Sequence, residues 1–187
     1  MNWNSEGPSA AGYRLTRAAS LTMQTMKTSP PHQPSQDCAV CASLSDPGVS
    51  LRPVFENDLW IVRPASEPCG VPGWMMLITR RHVAGPAHFN DREANNFGFA
   101  LRHFEKVLED VTGALRIYTA ALGESSPHFH AHMVPRYETM PKGASAWGVF
   151  DLERAARVGE IVVDAVEVQR VIEAYRRALA ERPVPAG

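Results

Sequence analysis

The chain has 187 residues, a formal net charge of −1 from 19 Lys+Arg against 20 Asp+Glu, and a hydrophobic content of 44%. That is enough chain for a core of its own and a globular composition. It lacks the basic surplus needed to wrap duplex nucleic acid, and no apolar run approaches the roughly 18–20 residues that cross a bilayer. Fifteen prolines and 13 glycines imply many turns and argue against an all-helical bundle. The three cysteines, Cys38, Cys41 and Cys69, are an odd count containing one CxxC pair. This reads as reduced thiols in a cytoplasm, with the pair free to bind metal, and not as a secreted disulfide framework.

Residues 1–35 are rich in Ser, Thr, Pro, Asn and Gln, show no sustained period and end in Ser29-Pro30-Pro31-His32-Gln33-Pro34-Ser35. They predict a disordered tail ahead of a single domain over 36–187. Val54-Phe55-Glu56, Asn57-Asp58 and Leu59–Val62 read as strand, tight turn and strand. A Pro/Gly segment from Pro64 to Gly73 leads into a third strand, Trp74–Thr79, which ends in Arg80-Arg81-His82. A helix begins at Asn90, with Glu93 completing a capping box. Phe97, Leu101, Phe104, Leu108 and Val111 mark its apolar stripe and Gly113 its stop. Leu115–Leu122 and His128–Val134 read as two more strands, separated by Gly123-Glu124-Ser125-Ser126-Pro127. Residues 138–160 have no reading beyond a loop. A last helix starts near Asp164, with Glu167 in a second capping box, and Val168, Val171, Ile172, Tyr175 and Leu179 form its buried stripe. The expectation is an α+β fold, a small antiparallel sheet of about five strands covered by two main helices.

Seven histidines are spread over the chain, yet three fall in five positions, His128-Phe129-His130-Ala131-His132. On a strand this spacing places the imidazoles on one face and Phe129, Ala131 and Met133 on the other, toward the core. Two chemistries suit such a strand. HxH pairs on strands bind zinc, and a neutral imidazole can attack an electrophile while its neighbours orient it and move a proton. The turn ahead of it, Gly123-Glu124-Ser125-Ser126, offers backbone N–H groups and hydroxyls to a phosphate.

With Met133-Val134 completing His-x-His-x-His and two apolar residues, and Pro135-Arg136 following, the sequence resembles the histidine-triad superfamily over about 38–136. The resemblance implies a nucleotide hydrolase or nucleotidyl transferase. His130 would attack the α-phosphorus and form a nucleotidyl-histidine, and water would release the nucleoside monophosphate. His132 would contact the phosphate and help protonate the leaving group, and His128 would orient the site. Gly123, Glu124, Ser125 and Ser126 would line the phosphate, with Ser66 a candidate for the ribose. It also implies a homodimer, formed around the long helix and an edge strand, with purine nucleotides as substrates. Dinucleoside polyphosphates and nucleoside phosphoramidates rank first.

Some bacterial members pair an N-terminal CxxC with two histidines. The resemblance therefore implies a structural zinc on Cys38, Cys41, His82 and His128. Two other classes stay open: a metallohydrolase using the triad itself as ligands, and a nucleotide-binding regulator with little turnover. Four departures from the family pattern stand out. Glu124 occupies a position that is often Gln, and Trp74 one that is often a fourth His, where it would stack on a base or fill the core. No Asn or Gln lies between Gly113 and His128, and no Asp between Leu59 and Gly73.

Overall fold

The computed structural model describes residues 37–45, 52–124 and 126–184; the expected tail over 1–35 lies outside them. The first element is a short helix absent from the sequence reading, Ala39–Ser45 (α1), with Cys38 at its boundary and Cys41 in its first turn. Phe55–Glu56 (β1) and Trp60–Pro64 (β2) follow as the expected antiparallel pair. The Asn57 side chain makes the turn by accepting the N–H groups of Leu59 and Trp60 at 2.9 and 2.7 Å, so its short polar side chain replaces a backbone acceptor.

Met75–Thr79 (β3) pairs antiparallel with β2. The long helix, Asp91–Thr112 (α2), starts at Asn90 with both arms of the capping box in place and stops at Gly113 in the left-handed conformation (φ 64°). Arg116–Ala120 (β4) and His130–Arg136 (β5) complete one open antiparallel sheet in the order β1-β2-β3-β5-β4. Residues 138–160 are not simply loop: they hold two single 3₁₀ turns and a nine-residue helix, Val149–Arg157 (α3). Ala165–Glu181 (α4) is the last helix. Asp164 caps it by accepting the Val166 and Glu167 N–H groups, but the reciprocal arm is missing because Arg170 holds the Glu167 carboxylate through two hydrogen bonds of 2.7 Å.

The main core lies between one face of the sheet and the two long helices. Trp60, Val62, Met75, Leu77, Ala131 and Met133 supply the sheet side. On α2 the buried line is Ala100, Phe104, Val107 and Leu108, with Phe97, Leu101 and Val111 half-buried along its flanks. The α4 stripe is as expected from the sequence, and its Tyr175 hydroxyl donates to the Phe104 carbonyl at 3.0 Å. Each such large apolar side chain contributes about 1.5–3 kcal/mol relative to exposure. The opposite sheet face is covered too: Cys38, Val40 and Cys41 pack on Ile61 and Ile78. Every residue of β2 is therefore buried, which explains why Trp60, Ile61 and Val62 run on without alternation. No helix among the described residues is long and apolar enough to cross a membrane.

One buried charge ties this frame to the segment before α2. Glu93 is 1% exposed and accepts from the Asn90 N–H at 2.9 Å and from Nε and Nη2 of Arg81 at 2.8 and 2.6 Å. Burial pushes its carboxyl up, but Arg81 and the Asn90 N–H outweigh burial and leave the pKa below the ordinary value. The stability it contributes is therefore present above the unfolded-state carboxylate pKa and is lost as pH falls through the lower folded value. Glu93→Ala is expected to cost about 3 kcal/mol at neutral pH, with the gap to wild type narrowing once pH falls below the ordinary glutamate value of about 4.3. Urea melts on either side of that value measure this, and a gap independent of pH would reject the carboxylate charge as its cause.

Candidate active site

Strand β5 begins at His130, two residues later than the motif suggests. Phe129, Ala131 and Met133 enter the main core as the alternation predicts. His130 and His132 lie half-buried on the opposite face, with ring centroids 5.6 Å apart. Register places Ile78 across from His130 and Met76 across from His132. His128 faces the cysteines that pack on Ile78, the strand partner of His130. It precedes the strand, is 1% exposed, and its N–H turns back to the Ser126 carbonyl at 2.8 Å.

Each ring has one nitrogen committed to a partner of fixed character, which assigns the other. A carbonyl only accepts and an indole N–H only donates. His130 Nδ1 lies 2.7 Å from the His128 carbonyl, so it carries the proton and leaves a lone pair on Nε2. His132 Nδ1 accepts from the Trp74 indole at 3.1 Å, so its Nε2 carries the proton. His128 Nε2 donates to the Thr79 carbonyl at 2.8 Å, leaving its Nδ1 lone pair facing the thiols. Burial, then the neighbouring His130, lowers the His132 pKa, with Glu153 of α3 pulling the other way. Burial also lowers that of His128, opposed by the Thr79 hydrogen bond. Near neutral pH His128 and His132 are therefore neutral.

His128 closes a second group. Its Nδ1 lies 3.3 Å from the Cys41 sulfur and 3.9 Å from that of Cys38, and His82 Nδ1 lies 3.2 Å from Cys41. One ligand atom from each of these four residues falls within 4.8 Å of the others. The i, i+3 spacing of the cysteines at the start of α1 turns both sulfurs to one side. Two sulfurs and two imidazole nitrogens at this separation suit a tetrahedral ion, with ligands about 2.0–2.3 Å from it. Neither His130 nor His132 belongs to the cluster.

The remaining sequence candidates are more scattered. Gly123 adopts φ +70°, a value that favours glycine, and Glu124 beside it is exposed. Ser126 is buried, and Ser125 lies outside the described residues. Ser66 is exposed, and its hydroxyl takes a hydrogen bond from Arg157 at 3.4 Å. Arg80 and Arg81, at the end of the third strand, pair with Glu56 and Glu93. Cys69 is buried, which raises its pKa. Trp74, 2% exposed, is a core residue that also hydrogen-bonds the site.

Sequence reasoning missed the α3 contribution. Phe150 packs edge-on against His132 and Trp74, at 5.7 and 5.5 Å between ring centroids. Next to it, Tyr118, Ala120, Val134, Trp147 and Val149 line an apolar cavity of about 190 Å³. The amphipathic spacing of Val149, Leu152 and Ala156 was the available signal, but nine residues following Gly143 and Gly148 do not announce a helix. It also missed Arg63. Register aligns Arg63 with Met76 and Met76 with His132, so all three share a face. Arg63 is 6% exposed, and its Nε and Nη1 have no hydrogen-bond partner among the described residues. A lone arginine in an apolar strand was its only mark.

No family model and no curated protein matches the sequence. Solved structures do match. A Hit-like protein involved in cell-cycle regulation from Bartonella henselae is 17% identical with a TM-score of 0.55, over 79% of this chain and 100% of that one. A histidine triad protein from Bradyrhizobium japonicum is 22% identical with a TM-score of 0.55, over 69% and 90%. A zinc-bound histidine triad family protein from Mycobacterium smegmatis is 14% identical with a TM-score of 0.55, over 77% and 94%. The chain has the histidine-triad fold, an α+β architecture with a five-stranded antiparallel sheet, and carries the His-x-His-x-His motif on its β5 segment.

Proposed function

We propose that the protein is a nucleotide hydrolase or nucleotidyl transferase that works through a nucleotidyl-histidine on His130. The observation that carries this reading is the pairing of opposite ring nitrogens on one strand face: a lone pair on His130 Nε2 and a proton on His132 Nε2. His130 Nε2 attacks the α-phosphorus and the leaving group departs. Water then cleaves the N–P bond and releases the nucleoside monophosphate. The bond from His130 Nδ1–H to the His128 carbonyl raises the nucleophilicity of Nε2 and stabilises the cationic ring of the intermediate. His132 Nε2–H hydrogen-bonds a phosphoryl oxygen, where negative charge builds in the transition state. By the same resemblance Gly123, Glu124, Ser125 and Ser126 are the candidates for the phosphate and Ser66 for the ribose.

The cysteine–histidine cluster is read as a structural zinc site on Cys38, Cys41, His82 and His128. The ion would supply a tetrahedral cross-link between α1 and the residues leading into β5, and no chemistry at the substrate. The ligand separation and the zinc-bound Mycobacterium smegmatis protein of the same fold support it. A homodimer across α2 and the edge strand β4 belongs to the same reading. Phe99 on α2 and Leu115 and Leu122 flanking β4 are large apolar side chains, each more than half exposed.

His130→Asn is expected to reduce release of nucleoside monophosphate by more than about 10⁴-fold with nucleotide affinity retained. Chromatography of the products measures it, and turnover at the parent rate would end the nucleotidyl-histidine reading. Nucleotide binding with no turnover in the wild type would mark a binding protein instead. Untagged protein purified without chelator should contain stoichiometric zinc. Its removal should lower the melting temperature and spare activity in the fraction that stays folded; only a trace of zinc in elemental analysis refutes the site. Sedimentation equilibrium should give a dimer at micromolar concentration, with a monomer rejecting that part of the proposal.

A further inference from the structure

The Trp74 indole limits which protonation states His132 can reach. An indole N–H donates and never accepts, so its 3.1 Å contact requires a lone pair on His132 Nδ1. A proton there would set two N–H groups against each other in a packed space. Trp74 is 2% exposed, and Phe150 lies edge-on to both rings. Imidazolium formation would thus lose a hydrogen bond and also require a desolvated charge. Of the ionisable groups acting on the ring, His130 on β5 disfavours the charge and Glu153 on α3 favours it, and burial dominates both.

We propose that Trp74 holds His132 as a neutral Nε2–H donor throughout the reaction, so that the site selects nucleotides whose leaving group departs as an anion, phosphoanhydrides above all, over phosphoramidates. The proposal rests on the nucleotidyl-transfer reading and narrows its substrate class. With an anhydride, the His130 Nε2–P bond forms as the bridging P–O bond breaks. The electron pair stays on that oxygen, and the phosphate or second nucleotide leaves as an anion, needing no proton. With a phosphoramidate, the P–N bond breaks with its electron pair on nitrogen, and the amine needs a proton to leave. His132 could supply one only by becoming an imidazolate or by taking up another proton at Nδ1. The first is out of reach near neutral pH, and Trp74 blocks the second. His132 therefore binds the phosphoryl oxygen and does not protonate the leaving group, contrary to the role that family resemblance implies for it. Trp74 is a positioning residue, acting through His132.

The test compares kcat/KM for a dinucleoside polyphosphate and a phosphoramidate of the same nucleoside, using full-length wild type, Trp74→Phe and Trp74→His. Wild type is expected to favour the anhydride by about 100-fold or more, the lower end of what a general acid contributes. Either variant should shift the ratio toward the phosphoramidate by about tenfold or more, because each removes the obligatory indole donor. Equal or inverted preference in the wild type, or a ratio unmoved in both variants, would falsify the proposal. Nitrogen-15 NMR of the histidine rings tests the tautomer without any substrate. His132 should be neutral with its proton on Nε2 near neutral pH in the wild type, and its charging should move to higher pH in Trp74→Phe. A His132 that carries a proton on Nδ1 in the wild type overturns the assignment. If neither substrate turns over while NMR finds the Nε2–H form, the nucleotidyl-transfer reading fails, and with it the substrate preference, while the indole lock stands.

Discussion

Each imidazole of the triad gives one ring nitrogen to the fold, and the chemistry available at the site follows from which nitrogen that is. A neutral imidazole has one N–H and one lone pair, and its protein partner decides where each lies. Two of the partners are backbone carbonyls, of Thr79 and His128, and the third is the Trp74 indole. Three residues of the same type on neighbouring positions thereby differ in what they offer: a lone pair among thiols, and a lone pair and an N–H donor side by side on the sheet face. Had Trp74 been an acceptor, His130 and His132 would present the same kind of nitrogen and could not divide the work.

Those partners are in place because the sheet is covered on both faces. The two long helices hide one face, and the strands beneath them carry a continuous apolar layer. On the other face two short helices do the covering. Seven residues of α1 are too few to persist as an isolated helix. They are held by packing on Ile61 and Ile78 and by the thiol contacts to His82 and His128. Helix α3 sets Phe150 against the Trp74–His132 pair. The open part of the triad face is thus framed by side chains of elements that have little stability of their own, which ties the geometry of the site to tertiary packing.

The protein buries charge in two contrasting ways. Glu93 is nearly inaccessible, yet it is matched by Arg81 and by a helix N-terminus, and its carboxylate remains ionised in the folded state. Arg63 is buried with two guanidinium nitrogens unpaired among the described residues, and burial lowers its pKa. An unpaired buried cation costs several kcal/mol, whereas a paired one with satisfied hydrogen bonds recovers much of that. Glu93 serves the frame. Arg63, aligned with Met76 and His132, bears instead on the triad face, and packing alone does not explain it.

Local chemistry made most of the frame legible. Asn57 sets its turn, Asn90 and Glu93 cap α2, and Gly113 ends it through interactions within a few residues, so these were readable along the chain. The stripe of α4 was readable because one apolar face repeats at the helical period. The triad was legible as a motif, since strand alternation alone sends Phe129, Ala131 and Met133 inward. Helices α1 and α3 were not, being too short for a period to register. Above all, a sequence cannot assign a proton to a ring nitrogen. For His128 and His132 the residues that do so, Thr79 and Trp74, lie 49 and 58 positions away. The sequence by itself determined the elements and the residue types at the site. Only the tertiary structure decided that His128 faces the cysteines and that His132 keeps its proton on Nε2, because hydrogen-bond character is set by the partner that folding brings to the ring.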